Sequence, residues 1–436
     1  MRNKPILMIF AALALLAILA ACTPSAPQPL AVISTITAQP PSEPNAAYPA
    51  TTAYPVAEPT TASTKPPMAA TEPPTAEPIV LPSPTPEPAE PWVSYIGADE
   101  NLWIINPARG EMRQITQDAQ PFEPGLVNIV YCCAVWSSDG QYLAYSRHVG
   151  TPIAEGGYNY TFHLWLFDIT TGQSRELLAD QQVSTFAWQP GTHNLTYGLS
   201  IENQYFTMHQ VDPAYASGIW SLDIDSGSAS ELVKPVNGFT LVNPQWSPDG
   251  RFVGFEEVLY MEGRGNFAYY EAASGQYFPW NKAIGGYRWS PDGEALYYDY
   301  LTYMPSGSER VFRSNRQNTE EQQISTDYAN AITHSPLLTP DGTQLIYTME
   351  EMVTDGAGRY QIVIQPAASG EARVLGEFDQ PGELSISADG SLLLLSSGQW
   401  DNRQISMITL ADQTARVLVQ GKQPVWQPVG MGQSVP

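Results

Sequence analysis

Cysteine is scarce in this chain of 436 residues: there are three in all, and two of them, Cys132 and Cys133, are neighbours. A framework of disulfides is therefore excluded as the support of the fold. The five histidines (His148, His163, His193, His209 and His334) are scattered and show no metal-ligand spacing. Gly-x-Ser-x-Gly, His-Glu-x-x-His and Gly-x-x-x-x-Gly-Lys patterns are all missing, so the sequence offers no catalytic residue, metal site or cofactor. Positive charge is also short. Twenty Lys and Arg stand against 44 Asp and Glu, a net of −24, of which −21 falls in residues 91–436. A surface this acidic repels phosphate backbones and argues against nucleic acid as a partner. After the first 22 residues, no apolar run approaches membrane-spanning length.

Those first residues are different. Arg2 and Lys4 precede an unbroken apolar run from Ile6 to Ala21. At about 16 residues it falls short of the roughly 20 a spanning helix needs, and reads as a cleavable export signal. It ends in Leu19-Ala20-Ala21-Cys22, which resembles the lipobox of bacterial lipoproteins. The resemblance implies removal of residues 1–21, a diacylglycerol thioether on Cys22 and acylation of the new terminus. Several acyl chains would hold the protein durably on the extracytoplasmic side of a membrane, at the cell surface or in the periplasm. Residues 22–90 are dominated by Pro, Ala, Thr and Ser. They have too few large apolar groups to offset the entropy of ordering, and read as a disordered tether. As a coil it would span roughly 45 Å, and fully extended about 210 Å.

From Trp92 onward, short runs alternate apolar and polar residues between recurring turn signals, an all-β pattern. The run repeats itself: Trp136-Ser-Ser-Asp139-Gly140, Trp246-Ser-Pro-Asp249-Gly250 and Trp289-Ser-Pro-Asp292-Gly293, each followed by an alternating apolar strand. Weaker copies are Leu338-Thr-Pro-Asp341-Gly342 and Ile386-Ser-Ala-Asp389-Gly390, with degenerate ones at Trp188 and Trp426. A second half-repeat, Leu164-Trp165-Leu-Phe-Asp168-Ile-Thr-Thr-Gly172, returns at Ile219–Gly227 and begins again at Leu102. Asp-Gly suits a tight turn between antiparallel strands, so each unit is two hairpins forming one four-stranded sheet.

The Trp-Ser-Pro-Asp-Gly unit resembles the WD40-like (PD40) repeat of TolB-type β-propellers, also found in the non-catalytic domains of prolyl oligopeptidases and tricorn proteases. The resemblance covers about residues 92–430. It implies a ring of four-stranded antiparallel blades over 91–436. Six units (about 131–178, 183–233, 241–280, 285–325, 334–376 and 382–419) plus a composite of the Trp92–Thr116 strands and the Trp426 strand give seven blades; six is the alternative. No room is expected for the hydrolase domain of the peptidases, and the tether stands where TolB has an α/β domain. A role in a Tol-like system therefore does not transfer.

Long connections are expected on one face: Arg147–Phe162, Ser200–Ser217, Glu256–Asn266, Tyr300–Glu309 and Met349–Arg359. Long loops on a rigid scaffold are where binding usually resides. Arg147 and the aromatic Tyr158, Tyr160, Tyr205, Phe206, His209, Tyr215, Tyr260, Tyr300 and Tyr303 mark this face. Glu256, Glu257, Asp299, Glu350 and Glu351 follow the second strand of successive units. They would form either an arc that attracts a cation or amine, or a solvated acidic rim. Cys132 and Cys133 would be small strand residues on opposite faces, or a vicinal disulfide. Asp223-Ile-Asp225-Ser-Gly227 reads as a hairpin turn and not as a calcium loop. The function expected is a non-enzymatic binding or scaffold module for a protein, peptide or glycan. The alternatives are a hydrolase or lyase using the loop carboxylates, and a purely structural envelope role.

Overall fold

The computed structural model describes residues 90–154, 156–199, 216–236, 238–258, 265–302, 308–328, 330–351, 358–399 and 402–428, all within the unit Ser83–Pro436. The signal, Cys22, the tether, Tyr205, Phe206, His209, Tyr215, Tyr260 and Tyr303 lie outside the described residues. Among those described, every regular element is a strand.

Five sheets are four-stranded antiparallel meanders, each with its strands in chain order. The first holds β4 (Asn128–Trp136), β5 (Tyr142–Pro152), β6 (Tyr158–Asp168) and β7 (Gln173–Leu177). The second holds β8 (Val183–Trp188), β9 (Asn194–Leu199), β10 (Ile219–Asp223) and β11 (Ala229–Val233). The third holds β12 (Thr240–Trp246), β13 (Phe252–Val258), β14 (Asn266–Glu271) and β15 (Gln276–Ala283). The fourth holds β16 (Tyr287–Trp289), β17 (Ala295–Thr302), β18 (Ser308–Asn315) and β19 (Gln322–Gln323). The fifth holds β20 (Ala331–Leu338), β21 (Gln344–Glu351), β22 (Arg359–Pro366) and β23 (Arg373–Phe378).

The sixth sheet has seven strands because one of them is shared. β24 (Leu384–Ile386), β25 (Leu392–Ser397) and β26 (Gln404–Thr409) lead to β27 (Ala415–Trp426), which continues into β1 (Val93–Gly97), β2 (Leu102–Asn106) and β3 (Glu111–Gln114). The first half of β27 pairs with β26, Ile408 facing Ala415 and Gln404 facing Gln420. The second half pairs with β1, Gly97 facing Gly421 and Val93 facing Trp426. The C-terminal Trp426 segment thus lies beside the strand that follows Trp92, as the repeat arithmetic requires.

The Asp-Gly turns are built alike. In each, a hydroxyl at Ser137, Ser247, Ser290, Thr339 or Ser387 donates to the aspartate two residues on, and accepts the amide five residues on. The glycine that follows has φ near 70°, from 68° at Gly293 to 73° at Gly390, a region that side chains seldom tolerate. Beyond the turn Leu143, Val253, Leu296, Leu345 and Leu393 are fully buried. The repeat tryptophan bridges sheets: the Trp188 indole donates to the Val135 carbonyl at 3.1 Å, and Trp289 to that of Gln245 at 3.2 Å. Apolar clusters accordingly lie between sheets, as where Leu164 and Leu166 meet Phe186, Trp188 and Leu195.

The first strands close a circuit. β4 lies against β8, β8 against β12, β16 against β20, β20 against β24, and β24 and β4 each against β27. The β12–β16 step is made by the Trp289 bond and by the Tyr287 hydroxyl on the Asn243 carbonyl.

One expected loop is mostly strand, and the described ends of two others extend strands, the middle of those two and nearly all of Ser200–Ser217 lying outside the described residues. Arg147–Phe162 is mostly a long hairpin, with β5 and β6 paired from Arg147–His163 out to Pro152–Tyr158. β17 and β21 likewise run on to Thr302 and Glu351. Val149, Thr151, Tyr158, Tyr160, Thr161 and Phe162 are β-branched or aromatic, and extend a ladder more readily than they leave it.

Candidate functional site

The site begins with a backbone irregularity. Four first strands break register next to a non-glycine residue at positive φ: Cys133 (63°), Asn243 (55°), Ser335 (57°) and Gln423 (55°). Each sits three residues before Trp136, Trp246, Leu338 or Trp426. A β-bulge takes one residue out of the ladder and frees its amide for another partner. In three of the four the amide takes a side chain from a neighbouring sheet, and in the fourth, Gln423, the acceptor just precedes β24 of the same seven-stranded sheet. Asn243 N–H donates to Thr185 Oγ1 at 2.9 Å, and Cys133 N–H to Gln423 Oε1 at 3.2 Å. Gln423 N–H donates to Glu383 Oε2 at 3.3 Å, and Ser335 N–H to Asp299 Oδ2 at 3.1 Å.

Inside the circuit lies a cavity of about 580 Å³ lined by β4, β8, β12 and the stretch from Ile284 to Arg288. Its polar wall includes Thr185, Asn243, Gln245, Glu256 and Arg288. The Asn243 side-chain amide donates to Glu256 Oε1 at 2.8 Å. Arg288 donates to the Tyr287 carbonyl at 2.8 Å and is in no ion pair among the described residues. Its side chain reaches solvent within the cavity, while the enclosing protein pushes its pKa below the ordinary arginine value. Nearby Asp299 opposes that push.

The expected acidic arc is divided. Glu256 lines the cavity, whereas its neighbour Glu257 is buried and accepts a hydrogen bond from the Tyr277 hydroxyl. Burial raises the Glu257 pKa, against the lowering effect of Tyr277. Asp299 is buried and holds the Ser335 amide. Tyr300 lies under the Lys282 ammonium, 4.0 Å from its ring centre, and edge-on to Phe312. Arg147 is ion-paired with Asp118 at 2.8 Å. Glu350 and Glu351 end β21, opposite Tyr360 and Arg359. His334, beside Asp299 and Glu350, has its pKa lowered by burial.

Cys132 and Cys133 are joined as a vicinal disulfide, which corrects the reading that placed them on opposite strand faces. The bulge at Cys133 breaks the alternation on which that reading relied. Cys133 lines the cavity, and His148 Nε2 lies 3.6 Å from Cys132 Sγ. Burial pushes the His148 pKa down to about 4, so its imidazole is neutral at pH 7. Asp223 caps its own hairpin turn, accepting the Asp225 and Ser226 amides.

No family model matches the sequence, and no curated protein matches it. Among solved structures it is similar to an oligogalacturonate lyase in complex with manganese, at 13% identity and a TM-score of 0.54, over 76% of this chain and 84% of that one. A prolyl endopeptidase structure is similar at 14% identity and a TM-score of 0.54, over 73% of this chain and 46% of that one. TolB from Acinetobacter baumannii is similar at 15% identity and a TM-score of 0.44, over 69% of this chain and 82% of that one. The fold is a β-propeller. At such identities the likeness is one of fold alone, and function has to be argued from the site. In the propeller, the cavity residues Gln245 and Arg288 belong to the first strands and their approach, not to the connecting loops that the sequence singled out.

Proposed function

We propose that the chain is a lipid-anchored, extracytoplasmic binding module without enzymatic activity, built as a seven-bladed propeller. Its recognition site is the axial cavity and the rim around it. The observation that carries the reading is the polar lining of that cavity, where Asn243, Gln245, Glu256 and Arg288 meet on a rigid wall of strands. A concave site with a few fixed polar groups on a stiff scaffold suits binding of a protein segment, peptide or glycan. Cys22 and the tether of residues 22–90 hold the propeller at a distance from the membrane so that it can reach a partner.

Proximity labelling by the full-length chain in native envelopes tests this. A partner enriched by the wild type is expected to be lost with Glu256→Gln combined with Asn243→Gly, which keeps the left-handed backbone at position 243, while thermal melting shows the variant to be folded. Equal enrichment by both chains rejects the cavity as the site. In the same cells, an alkyne fatty acid is expected to label the wild type and not Cys22→Ser.

A further inference from the structure

We propose that the axial cavity takes a small monocarboxylate, bound by the Arg288 guanidinium with the Gln245 amide beside it. This rests on the binding reading above and names its ligand chemistry. Arg288 and Gln245 occupy the same place in adjacent sheets, each immediately before the repeat tryptophan, Trp289 or Trp246. Both line the cavity. Neither side chain bonds to another side chain among the described residues, and the one bond from Arg288 goes to the adjacent Tyr287 carbonyl. Arg147, Arg310 and Arg251 are paired with carboxylates, whereas Arg175, Arg373 and Arg416, like Arg288, bond to backbone carbonyls; of these four, Arg288 is the one on the wall of this cavity.

A guanidinium presents a planar fork of donors that matches a carboxylate in two-pronged geometry. Phosphate offers the same geometry but is in large part a dianion at slightly alkaline pH, where the titration is run. Glu256 on the same wall and Asp299 close to Arg288 repel a dianion more than a monoanion. Gln245 can bond a hydroxyl or amide next to the carboxylate. The cavity, at about 580 Å³, has room for a sugar acid or a short peptide end.

Calorimetric titration of the full-length chain with glucuronate and with N-acetyl-alanyl-alanine tests the proposal. Glucuronamide, the dipeptide amide and inorganic phosphate are the controls. One of the two acids is expected to bind saturably, and its amide and phosphate more weakly. Which acid binds tells sugar acid from peptide terminus. Arg288→Gln is expected to weaken that acid by about tenfold or more. Arg288→Lys should recover part of the loss, and Gln245→Ala should show a smaller one. Thermal melting of each variant reports whether the ring remains folded. The proposal is overturned if neither acid binds better than its amide, if phosphate binds more tightly, or if folded Arg288→Gln binds like the wild type. Failure here with partner capture still dependent on Glu256 and Asn243 removes the carboxylate and leaves the binding site.

Discussion

The Ser247 hydroxyl accepts the Phe252 amide at 3.0 Å and donates to Asp249 at 2.6 Å, so one oxygen ties both sides of an Asp-Gly turn. Ser247 and Phe252 are both fully buried. Ser247→Ala leaves the Phe252 N–H without its acceptor, at a cost of about 1–3 kcal/mol. The check is the midpoint of urea unfolding followed by tryptophan fluorescence. An unchanged midpoint would mean that water reaches the amide. The turn was readable in the sequence because every residue in it has a local reason: the hydroxyl and carboxylate bond within five residues, and glycine supplies the positive φ. Arg288 was not readable in that way. Its place in the cavity follows only from counting back one residue from a repeat tryptophan to Val135, Ala187, Gln245 and Arg288, all of which line the wall. Alternation and turn signals point instead to residues past the second strand, of which Glu256 lines the cavity.

Between elements, the turns clasp one another. His193 bridges two sheets, Nε2 at 3.0 Å from Asp139 and Nδ1 at 2.9 Å from Asp225. The hydrogen bond to Asp139 chiefly raises its pKa, with help from Asp225. A raised histidine pKa contributes stability that is complete below the unfolded-state value of about 6.5 and is lost as pH climbs through the folded-state value. His193→Gln is therefore expected to lower the melting temperature more at about pH 5 than at about pH 9, relative to wild type at each pH. Equal losses at both would reduce His193 to a neutral hydrogen-bonding group. Strand identity was legible from alternation, whereas the bulges were not. The positive φ falls on Cys, Asn, Ser and Gln, of which three precede proline (Pro244, Pro336, Pro424); all four stand three residues before the repeat Trp or Leu, a mark visible only once the repeats are aligned. Without the bulge, adjacent cysteines would diverge, which is why the sequence leaves the disulfide as one of two alternatives.

For the whole molecule, everything meets at Gly421, where β27 passes from one sheet to the next. Its φ is 153°, and a Cβ there would lie 2.5 Å from the Ile96 carbonyl oxygen. Gly421→Ala is expected to cost about 1–3 kcal/mol and to weaken the β1–β27 seam ahead of other sheets. Hydrogen exchange at Ser94 and Ile96 is the readout; protection lost evenly over all sheets would contradict it. The seam was legible because the sequence begins with three strands lacking a Trp partner and later supplies a Trp strand lacking followers.

Gln427 accepts the Trp92 amide across 335 positions of chain. A nascent polypeptide emerging N-terminus first displays β1 long before its partner half-strand has been translated. Throughout that interval β1 is a bare edge, open to pairing with the wrong neighbour. Closure of the ring therefore has to wait for residue 426, and the β1 edge stays without its partner until then.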